Sequence, residues 1–381
     1  MRRQRIRVLA VFLLLCSLMV SALTGCGMGS RGSSSAGGEA GGSQGAEAYY
    51  AGKTIEIIVP FEEGGGTDTF FRFLVPYLEK HIPGSPKVVI KNMPGGESIT
   101  GANWFHQNAR KDGTVLLGTS ASTVFPYLLG RHEVQYDFSR YEPVLVSAVG
   151  GVMYTSPSTG IQKPADLRNP ATELVYGGIS ATGLDLVPLL AFELLELTPK
   201  VVMGFEGRGP ARLAFERGET NIDYQTSPAY IANVKPLVDE GKAIPLMTFG
   251  VMNRPGQLDR DPLLQDIPTV QEVYQEMFGK EPTGPLWTAY LAFAAAGFSY
   301  QKALWAPEGT PQQALDALAE GVQAMAADPD FQSKAQEAVG GYPIYTGKQI
   351  GDAVRQALSI PNDVREYVRN LLQNKYSVDF E

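Results

Sequence analysis

The sequence predicts an α/β protein in which short buried strands alternate with amphipathic helices. In the first strand–loop–helix unit, Thr54–Val59 is β-branched and apolar, as buried strands are, and residues 69–81 carry apolar side chains at helical spacing. Two further units follow at residues 87–110 and 115–122, and the same alternation returns from residue 174. Strands that alternate with helices in this way indicate parallel sheets covered by helices.

The loop of the first unit, residues 60–68, has the sequence P-F-E-E-G-G-G-T-D. Its glycines let the backbone approach another group closely, and Thr67 or Asp68 can act as the N-cap of the next helix. Unpaired amides and the helix dipole make such a helix start favourable for an anion. The alternative is a tight turn that binds nothing.

Two more loops repeat this arrangement in the same half of the chain. Residues 92–101 read N-M-P-G-G-E-S-I-T-G, and Thr119 and Ser120 place hydroxyl groups after the third strand. Because ligands bind at the carboxyl ends of parallel strands, the repetition favours a ligand cleft over plain turns.

The second half offers two similar loops, residues 179–185 after one strand and 206–209 after the next. Arg208 is the cation placed to meet a second ligand anion, and the alternative is a surface arginine on a solvated loop.

The apolar run 287–298 predicts a buried strand or a core helix, since it is too short to span a membrane. One last amphipathic helix is expected over residues 347–375.

Composition limits the function classes. The chain has 381 residues, 44% of them hydrophobic, which is enough for two domains. Its net charge is −8, and residues 1–25 contribute four arginines and no acid, so the rest carries −12 and is a poor nucleic-acid binder. Two cysteines exclude a disulfide framework, and three scattered histidines form no metal motif. We therefore expect neither a metal nor a cofactor.

The N-terminus has the features of an export signal. Arginines precede an apolar run, and L-T-G-C at 23–26 resembles a bacterial lipobox, so we expect residues 1–25 to be removed and Cys26 to be lipidated. Residues 26–51 are rich in Gly and Ser and would form a flexible linker. The alternative is an uncleaved membrane anchor. We expect an extracytoplasmic lipoprotein held at the bacterial cell membrane.

An ordered set of motifs resembles the solute-binding receptors of tripartite tricarboxylate transporters, also called Bug or TctC receptors. The stretches are I-I-V-P-F at 57–61, G-G-G-T-D at 64–68 with Arg72, N-M-P-G-G at 92–96, K-D-G-T at 111–114, residues 204–223, I-P-T at 267–269 with Glu272, and W-A-P-E-G-T-P at 305–311. Together they cover nearly everything after residue 52.

The resemblance implies a periplasmic-binding-protein-like fold of two α/β domains with a hinge and an interdomain ligand cleft. Domain 1 would comprise residues 52–149 and 286–381, and domain 2 residues 150–285. A small carboxylate would be held by backbone amides and waters of the first two loops, and its other end by the loops of domain 2. The implied partners are the membrane subunits of the transporter, and the receptor would be a monomer without enzymatic activity. The candidate ligand-binding residues are Phe61, Gly65, Gly66, Thr67, Asp68, Asn92, Gly95, Gly96, Ser98, Thr119, Ser120, Ser180, Thr182, Asp185, Gly207 and Arg208.

Three acids depart from the family pattern. Glu62 and Glu63 lie in the first loop, where they either face solvent or meet a cationic group on the ligand, and Glu97 replaces a usual small residue. Two other functions stay open. G-I-S-A-T-G at 178–183 resembles the nucleophile elbow of a hydrolase, but its second glycine comes one place late. The other alternative is a receptor of this kind that serves a sensor kinase instead of a transporter.

Overall fold

A computed structural model describes residues 49–254 and 257–380. Its strands are β1 (Thr54–Val59), β2 (Lys87–Asn92), β3 (Val115–Thr119), β4 (Glu142–Ser147), β5 (Gly151–Thr155), β6 (Val175–Gly177), β7 (Lys200–Val202), β8 (Ile222–Thr226), β9 (Ile244–Thr248), β10 (Val251–Arg254), β11 (Gln257–Asp259), β12 (Lys302–Ala306) and β13 (Ile344–Thr346). Strands β3, β5 and β12 are buried along their whole length, as expected for sheets covered by helices on both faces.

The helices occupy the segments between these strands. They are α1 (Gly66–His81), α2 (Ile99–Asn108), α3 (Ala121–Leu129), α4 (Leu186–Leu194), α5 (Arg208–Glu216), α6 (residues 227–239, partly π-helical), α7 (Val270–Phe278), α8 (Pro285–Ala294), α9 (Gln312–Ala327), α10 (Pro329–Ala338), α11 (Gly347–Ala357) and α12 (Asn362–Tyr376). Among the described helices, none is both long enough and apolar enough to cross a bilayer.

Six strands form the first sheet, in the order β13-β4-β12-β3-β1-β2. β1 is parallel to β2 and β3, whereas β12 runs antiparallel to β3. The carboxyl ends of β1, β2 and β3 therefore share one edge with the amino end of β12. We call the part of the chain built on this sheet the first lobe.

Five strands form the second sheet, in the order β7-β6-β8-β5-β9. β6 is parallel to both β7 and β8, so the loops that follow these three strands meet at one edge. The chain passes from the first sheet to the second between β4 and β5, and it returns to the first sheet at β12. We call the part built on the five-stranded sheet the second lobe.

One hydrophobic core extends through both lobes. It contains Leu117 and Trp305 of the first sheet together with Tyr176 and Ile222 of the second. The lobes approach each other closely at Gly297, where a Cβ atom would lie 2.9 Å from the ring of Phe125 and 3.3 Å from Leu184. The apolar run 287–298, predicted as a strand or core helix, is a helix: α8 continues into a buried π-helical turn at Ala295–Ser299.

The prediction of one helix over residues 347–375 is wrong, because α11 ends at Ala357 and α12 begins at Asn362. Pro361 explains the break. Proline has no backbone N–H to continue a helix, and its ring disfavours helical geometry at the preceding residue. Pro361 instead takes an extended conformation before α12, while Ile360 is buried and holds the connection against the core.

Candidate functional site

The first glycine loop is organised by Asp68, near the start of α1. Its carboxylate accepts hydrogen bonds from the amide of Gly64 (2.8 Å), from Nε of Arg72 (2.8 and 2.9 Å) and from Nδ2 of Asn92 (2.9 Å). Burial alone would raise the pKa of Asp68, but these donors outweigh it and hold the pKa below its usual value. Asp68 therefore shapes the loop from within.

Asn92 connects the first loop to the second. Its Nδ2 also donates to the carbonyl oxygen of Phe61 (2.9 Å), and its Oδ1 accepts from Nη2 of Arg72 (2.8 Å). The oxygen and both N–H groups of the Asn92 side-chain amide are thus hydrogen-bonded to other protein groups. Asn92 and Asp68, both predicted to contact a ligand, are hydrogen-bonded to protein groups here and support the shape of the loop.

The start of α1 leaves amides unused. In the described part of the chain, the amides of Gly66, Thr67 and Asp68 have no hydrogen-bond acceptor. Gly66 is exposed, and a Cβ atom there would meet nothing within 4 Å, so the approach to Gly66 is open, whereas Thr67 and Asp68 are buried. Three free N–H groups at the positive end of a 16-residue helix are suited to an anion.

Lys302, which the sequence analysis missed, reaches the same place. Its Nζ donates to Oγ1 of Thr67 at 2.9 Å. The residue is only 7% exposed, and burial lowers the pKa of its ammonium to about 7. Lys302 opens β12, and because β12 is antiparallel its first residue lies at the carboxyl edge of β1 and β3. A lysine opening the apolar run K-A-L-W-A was the available signal.

The second loop has an unusual backbone. Gly95, Gly96, Glu97 and Ser98 all have positive φ, at 122°, 54°, 56° and 78°. For Glu97 and Ser98 this conformation costs on the order of 1 kcal/mol each, so the surroundings must enforce it. Oγ of Ser98 donates to Oγ1 of Thr123 at 3.1 Å, which joins this loop to α3. Such enforced strain is typical of functional loops.

The third loop, after β3, has two predicted residues with different surroundings. Oγ1 of Thr119 accepts from Nε1 of Trp305 (2.8 Å) and donates to the carbonyl of Ala303 (3.3 Å), so it fastens β3 to β12. Ser120 precedes α3, and its hydroxyl makes no capping hydrogen bond. It is therefore the better candidate for a ligand contact.

The side chain of Glu97, in the first lobe, makes hydrogen bonds with the second lobe. Its Oε2 accepts from Oγ of Ser180 at 2.8 Å and from Oγ1 of Thr182 at 2.6 Å, and these two hydroxyls are 3.0 Å apart. Ser180 and Thr182 were predicted to bind the far end of the ligand. In the structure they hold a carboxylate of the protein itself, next to Arg131, whose Nη1 lies 3.4 Å from Oγ1 of Thr182.

Asp185 accepts hydrogen bonds from backbone amides of the same loop. Its Oδ2 accepts from the amides of Ile179 (3.0 Å) and Ser180 (3.3 Å), and its Oδ1 accepts from the hydroxyl of Tyr176 (2.5 Å) and from Nη1 of Arg208 (2.9 Å). Asp185 was predicted to bind ligand. In this structure its carboxyl oxygens accept hydrogen bonds from the protein's own donors and fix the shape of the loop.

Arg208 is largely buried and is not the solvated surface arginine of the alternative, and its N–H groups are engaged by the protein. Its side chain is 14% exposed, and all five N–H groups donate to protein acceptors: the carboxylates of Asp185 and Asp223 and the carbonyls of Gly177 and Tyr224. Desolvation opposes its charge, yet the two aspartates raise its pKa further above the usual range. Burial also raises the pKa of Asp223.

The remaining predicted residues lie at the same two edges. Phe61 and Gly65 are half-buried in the first loop, and Gly207 is in extended backbone directly before α5. Glu62 and Glu63 are exposed; the side chain of Glu63 is 79% exposed, and its Oε1 lies 3.4 Å from Nη2 of Arg72. These two acids face solvent. Cys26 lies outside the described residues.

Buried polar atoms without a hydrogen-bond partner lie near the ligand-facing edges of the two sheets. Among the described residues, Oε1 of Gln301 and the hydroxyl of Tyr224 are buried and have no hydrogen-bond partner. Gln301 directly precedes Lys302, and the ring of Tyr224 lies 4.0 Å below the guanidinium of Arg208. Within residues 49–254 and 257–380, no group of three or more His, Cys, Asp or Glu is placed to hold a metal ion.

Two α/β lobes with glycine loops at their sheet edges define the fold of a periplasmic binding protein. No family model matches the chain. BugT of Bordetella pertussis is 26% identical over 196 residues, which is 49% of this chain and 58% of BugT, so the match spans little more than half of that protein.

Solved structures extend the similarity over most of the chain. The periplasmic binding protein BugD is 20% identical, with a TM-score of 0.61 and coverage of 84% of this chain and 98% of BugD. MatC of Rhodopseudomonas palustris, solved with bound malate, is 20% identical with a TM-score of 0.58, covering 83% of this chain and 99% of MatC. These comparisons confirm the resemblance to Bug and TctC receptors and the predicted fold class.

Proposed function

We propose that this protein is an extracytoplasmic solute receptor that binds a small carboxylate between its two lobes. It delivers the ligand to the membrane subunits of a tripartite tricarboxylate transporter and performs no chemistry on it. The similarity to BugT and BugD supports the receptor class, and the malate bound to MatC supports a carboxylate ligand.

The observation that carries this proposal is the start of α1, where the amides of Gly66, Thr67 and Asp68 are unpaired in the described part of the chain. Fixed N–H dipoles can replace the water around a carboxylate, which allows an acidic protein to bind an anion. Gly65 and Ser120 flank the same edge, and Asp68 and Asn92 hold the loop in shape.

We further propose that the receptor acts as a monomer attached to the membrane by a lipid on Cys26, with residues 26–48 as a tether. The predicted linker extended to residue 51, but Tyr50 is buried in the folded body and its hydroxyl donates to the carbonyl of Gly113 at 3.0 Å. Such a tether lets the folded body reach the membrane subunits while it stays anchored. Binding would close the two lobes about their connections, and the closed form would be the one that the transporter recognises.

The decisive experiment is a calorimetric and thermal-shift screen of the purified protein against carboxylates, neutral sugars and cationic amines at pH 7. A carboxylate at about 100 times its Kd should add roughly 2.7 kcal/mol of stability, which is readily detected. The proposal fails if only neutral or cationic solutes stabilise the protein. Conversion of a bound solute, followed by NMR, would instead indicate an enzyme.

A matched pair of variants ties binding to the start of α1. Gly66→Asp places a carboxylate where it competes with the ligand for the free amides, yet an acid in the first turn is favourable for the helix itself. Gly66→Asn has nearly the same shape without the charge. The position has no positive φ and has open space around it, so both side chains fit. We expect the Asp variant alone to lose carboxylate binding by an order of magnitude or more; equal behaviour of the two would contradict the assignment.

A further inference from the structure

Lys302 is a buried cation without a counter-ion. Its Nζ has three N–H groups, and the one hydrogen bond found for it among the described residues goes to the neutral hydroxyl of Thr67. Burial lowers the pKa of its ammonium, and among the described residues Lys302 forms no ion pair. A buried ammonium that is not paired with an anion is costly, and proteins normally avoid it.

The groups around Lys302 do not supply the missing charge. On α1, Asp68 is turned away toward Arg72, Gly64 and Asn92. On the neighbouring strand β4, the residue opposite Lys302 is the uncharged Ser147.

The position of Lys302 makes its isolation more significant. Nζ of Lys302 donates a hydrogen bond to Thr67, the second residue of α1, and the start of a helix is itself electropositive. The ammonium and the helix start thus meet at the same residue, Thr67, which lies between Gly66 and Asp68 with their free amides. An anion located there would neutralise Lys302, satisfy its remaining N–H groups and accept from the helix amides.

The second lobe has the opposite character. The hydroxyls of Ser180 and Thr182 are bonded to Glu97, the amides of Ile179 and Ser180 are bonded to Asp185, and every N–H of Arg208 is taken. A second ligand carboxylate at this edge would meet the charges of Glu97 and Asp185 and find its donors already in use. This end of the cleft therefore disfavours a second negative charge.

We propose that Lys302 is the cationic anchor of the binding site and that the ligand is a monocarboxylate, whose one charged group lies between Nζ of Lys302 and the amides of Gly66–Asp68. This inference rests on the proposed function and specifies its ligand class. The uncharged remainder of the ligand points toward the second lobe, where the buried hydroxyl of Tyr224 has no partner among the described residues.

The test measures Kd by titration calorimetry for acetate, butyrate, pyruvate and benzoate and for succinate, malate and adipate. The full-length protein in detergent is compared as wild type, Lys302→Met and Lys87→Met. Lys87 is an exposed lysine on β2 of the same sheet, so Lys87→Met matches the loss of charge away from the site. We expect at least one monocarboxylate to bind more tightly than every dicarboxylate, and Lys302→Met to weaken it about tenfold or more, as for other charged hydrogen bonds.

A second measurement needs no variant. Small carboxylic acids are ionised throughout pH 7–9, whereas Lys302 loses its proton in this range. Binding should therefore take up close to one proton at pH 8, measured in two buffers of different ionisation enthalpy. The wild-type affinity should fall by roughly tenfold between pH 8 and pH 9. Lys302→Met should remove both effects, and Lys87→Met neither.

The outcomes separate the two proposals. If the wild type binds no carboxylate, both the receptor function and the anchor are refuted. If it binds carboxylates but a dicarboxylate is tightest, or binding takes up no proton, or Lys302→Met binds as tightly as wild type, the receptor function stands and the anchor is refuted.

Discussion

Replacing Lys302 with methionine should stabilise the unliganded protein at neutral pH, which is unusual for a buried polar residue in a binding site. The ammonium is buried without an anion, and methionine fills a similar volume without a charge. The pKa of Lys302 is about 7 in the folded state, against 10.5 for an ordinary lysine. Below pH 7 both folded and unfolded chains hold the proton, and the cost of the buried charge is fully present. Between these pKa values only the unfolded chain holds it, so raising the pH favours folding.

The size of this effect follows from the two pKa values. Between pH 7 and pH 9 the free energy of unfolding should rise by about 2 kcal/mol through Lys302 alone. The assay is urea denaturation of wild type and Lys302→Met at pH 7, 8 and 9, with Lys87→Met as the exposed control. Because other groups titrate equally in all three proteins, the difference between wild type and Lys302→Met isolates the lysine. If Lys302→Met is less stable than wild type at pH 7, or if their difference does not change with pH, the lysine is not buried as a strained cation.

Four further substitutions test other parts of the site. Asp68→Asn should destabilise the protein by about 2 kcal/mol in urea denaturation, since it weakens the charged hydrogen bonds to Arg72 and Gly64, and it should reduce carboxylate affinity in calorimetry. Arg208→Met should cost roughly 3–5 kcal/mol in the same denaturation assay, because it leaves Asp185 and Asp223 buried without a counter-charge; a loss of affinity at unchanged stability would return Arg208 to the ligand site. Glu97→Ala removes a negative charge from the second-lobe edge, so the affinity for succinate should rise relative to butyrate in calorimetry. Cys26→Ser should move the protein from the membrane fraction to the soluble fraction of cells, and unchanged fractionation would exclude lipid attachment at this position.

Local patterns were enough to predict much of the first lobe. β1, the glycine loop and α1 are adjacent in sequence, so spacing and glycine content identify the helix start that now carries the anion proposal. The side chains within that loop were harder. Asp68 and Asn92 were correctly placed at the edge, but their hydrogen bonds with each other and with Arg72 depend on the parallel pairing of β1 with β2.

Lys302 escaped prediction because its role depends on contacts distant in sequence. It is more than 230 residues from Thr67, and only the antiparallel insertion of β12 beside β3 brings the two together. The same applies to Glu97, whose role depends on its hydrogen bonds with Ser180 and Thr182 on the other lobe. Arg208 was recognised as a cation near a cleft, but its two aspartate partners lie 15 and 23 residues away on separate elements. Sequence spacing does not specify such pairs.

The continuity of the hydrophobic core has a consequence for how the protein folds. Phe125, Leu184 and Phe298 belong to one cluster that includes side chains of both sheets, so each lobe depends on the other to cover part of its core, although each also has a smaller cluster of its own. The two lobes are then one cooperative folding unit, although the chain crosses between them more than once. Denaturation should show a single transition reported alike by tryptophan fluorescence and far-UV circular dichroism. The excised segment 150–285 should remain unfolded, and evolution could exchange one lobe only by rebuilding the shared core.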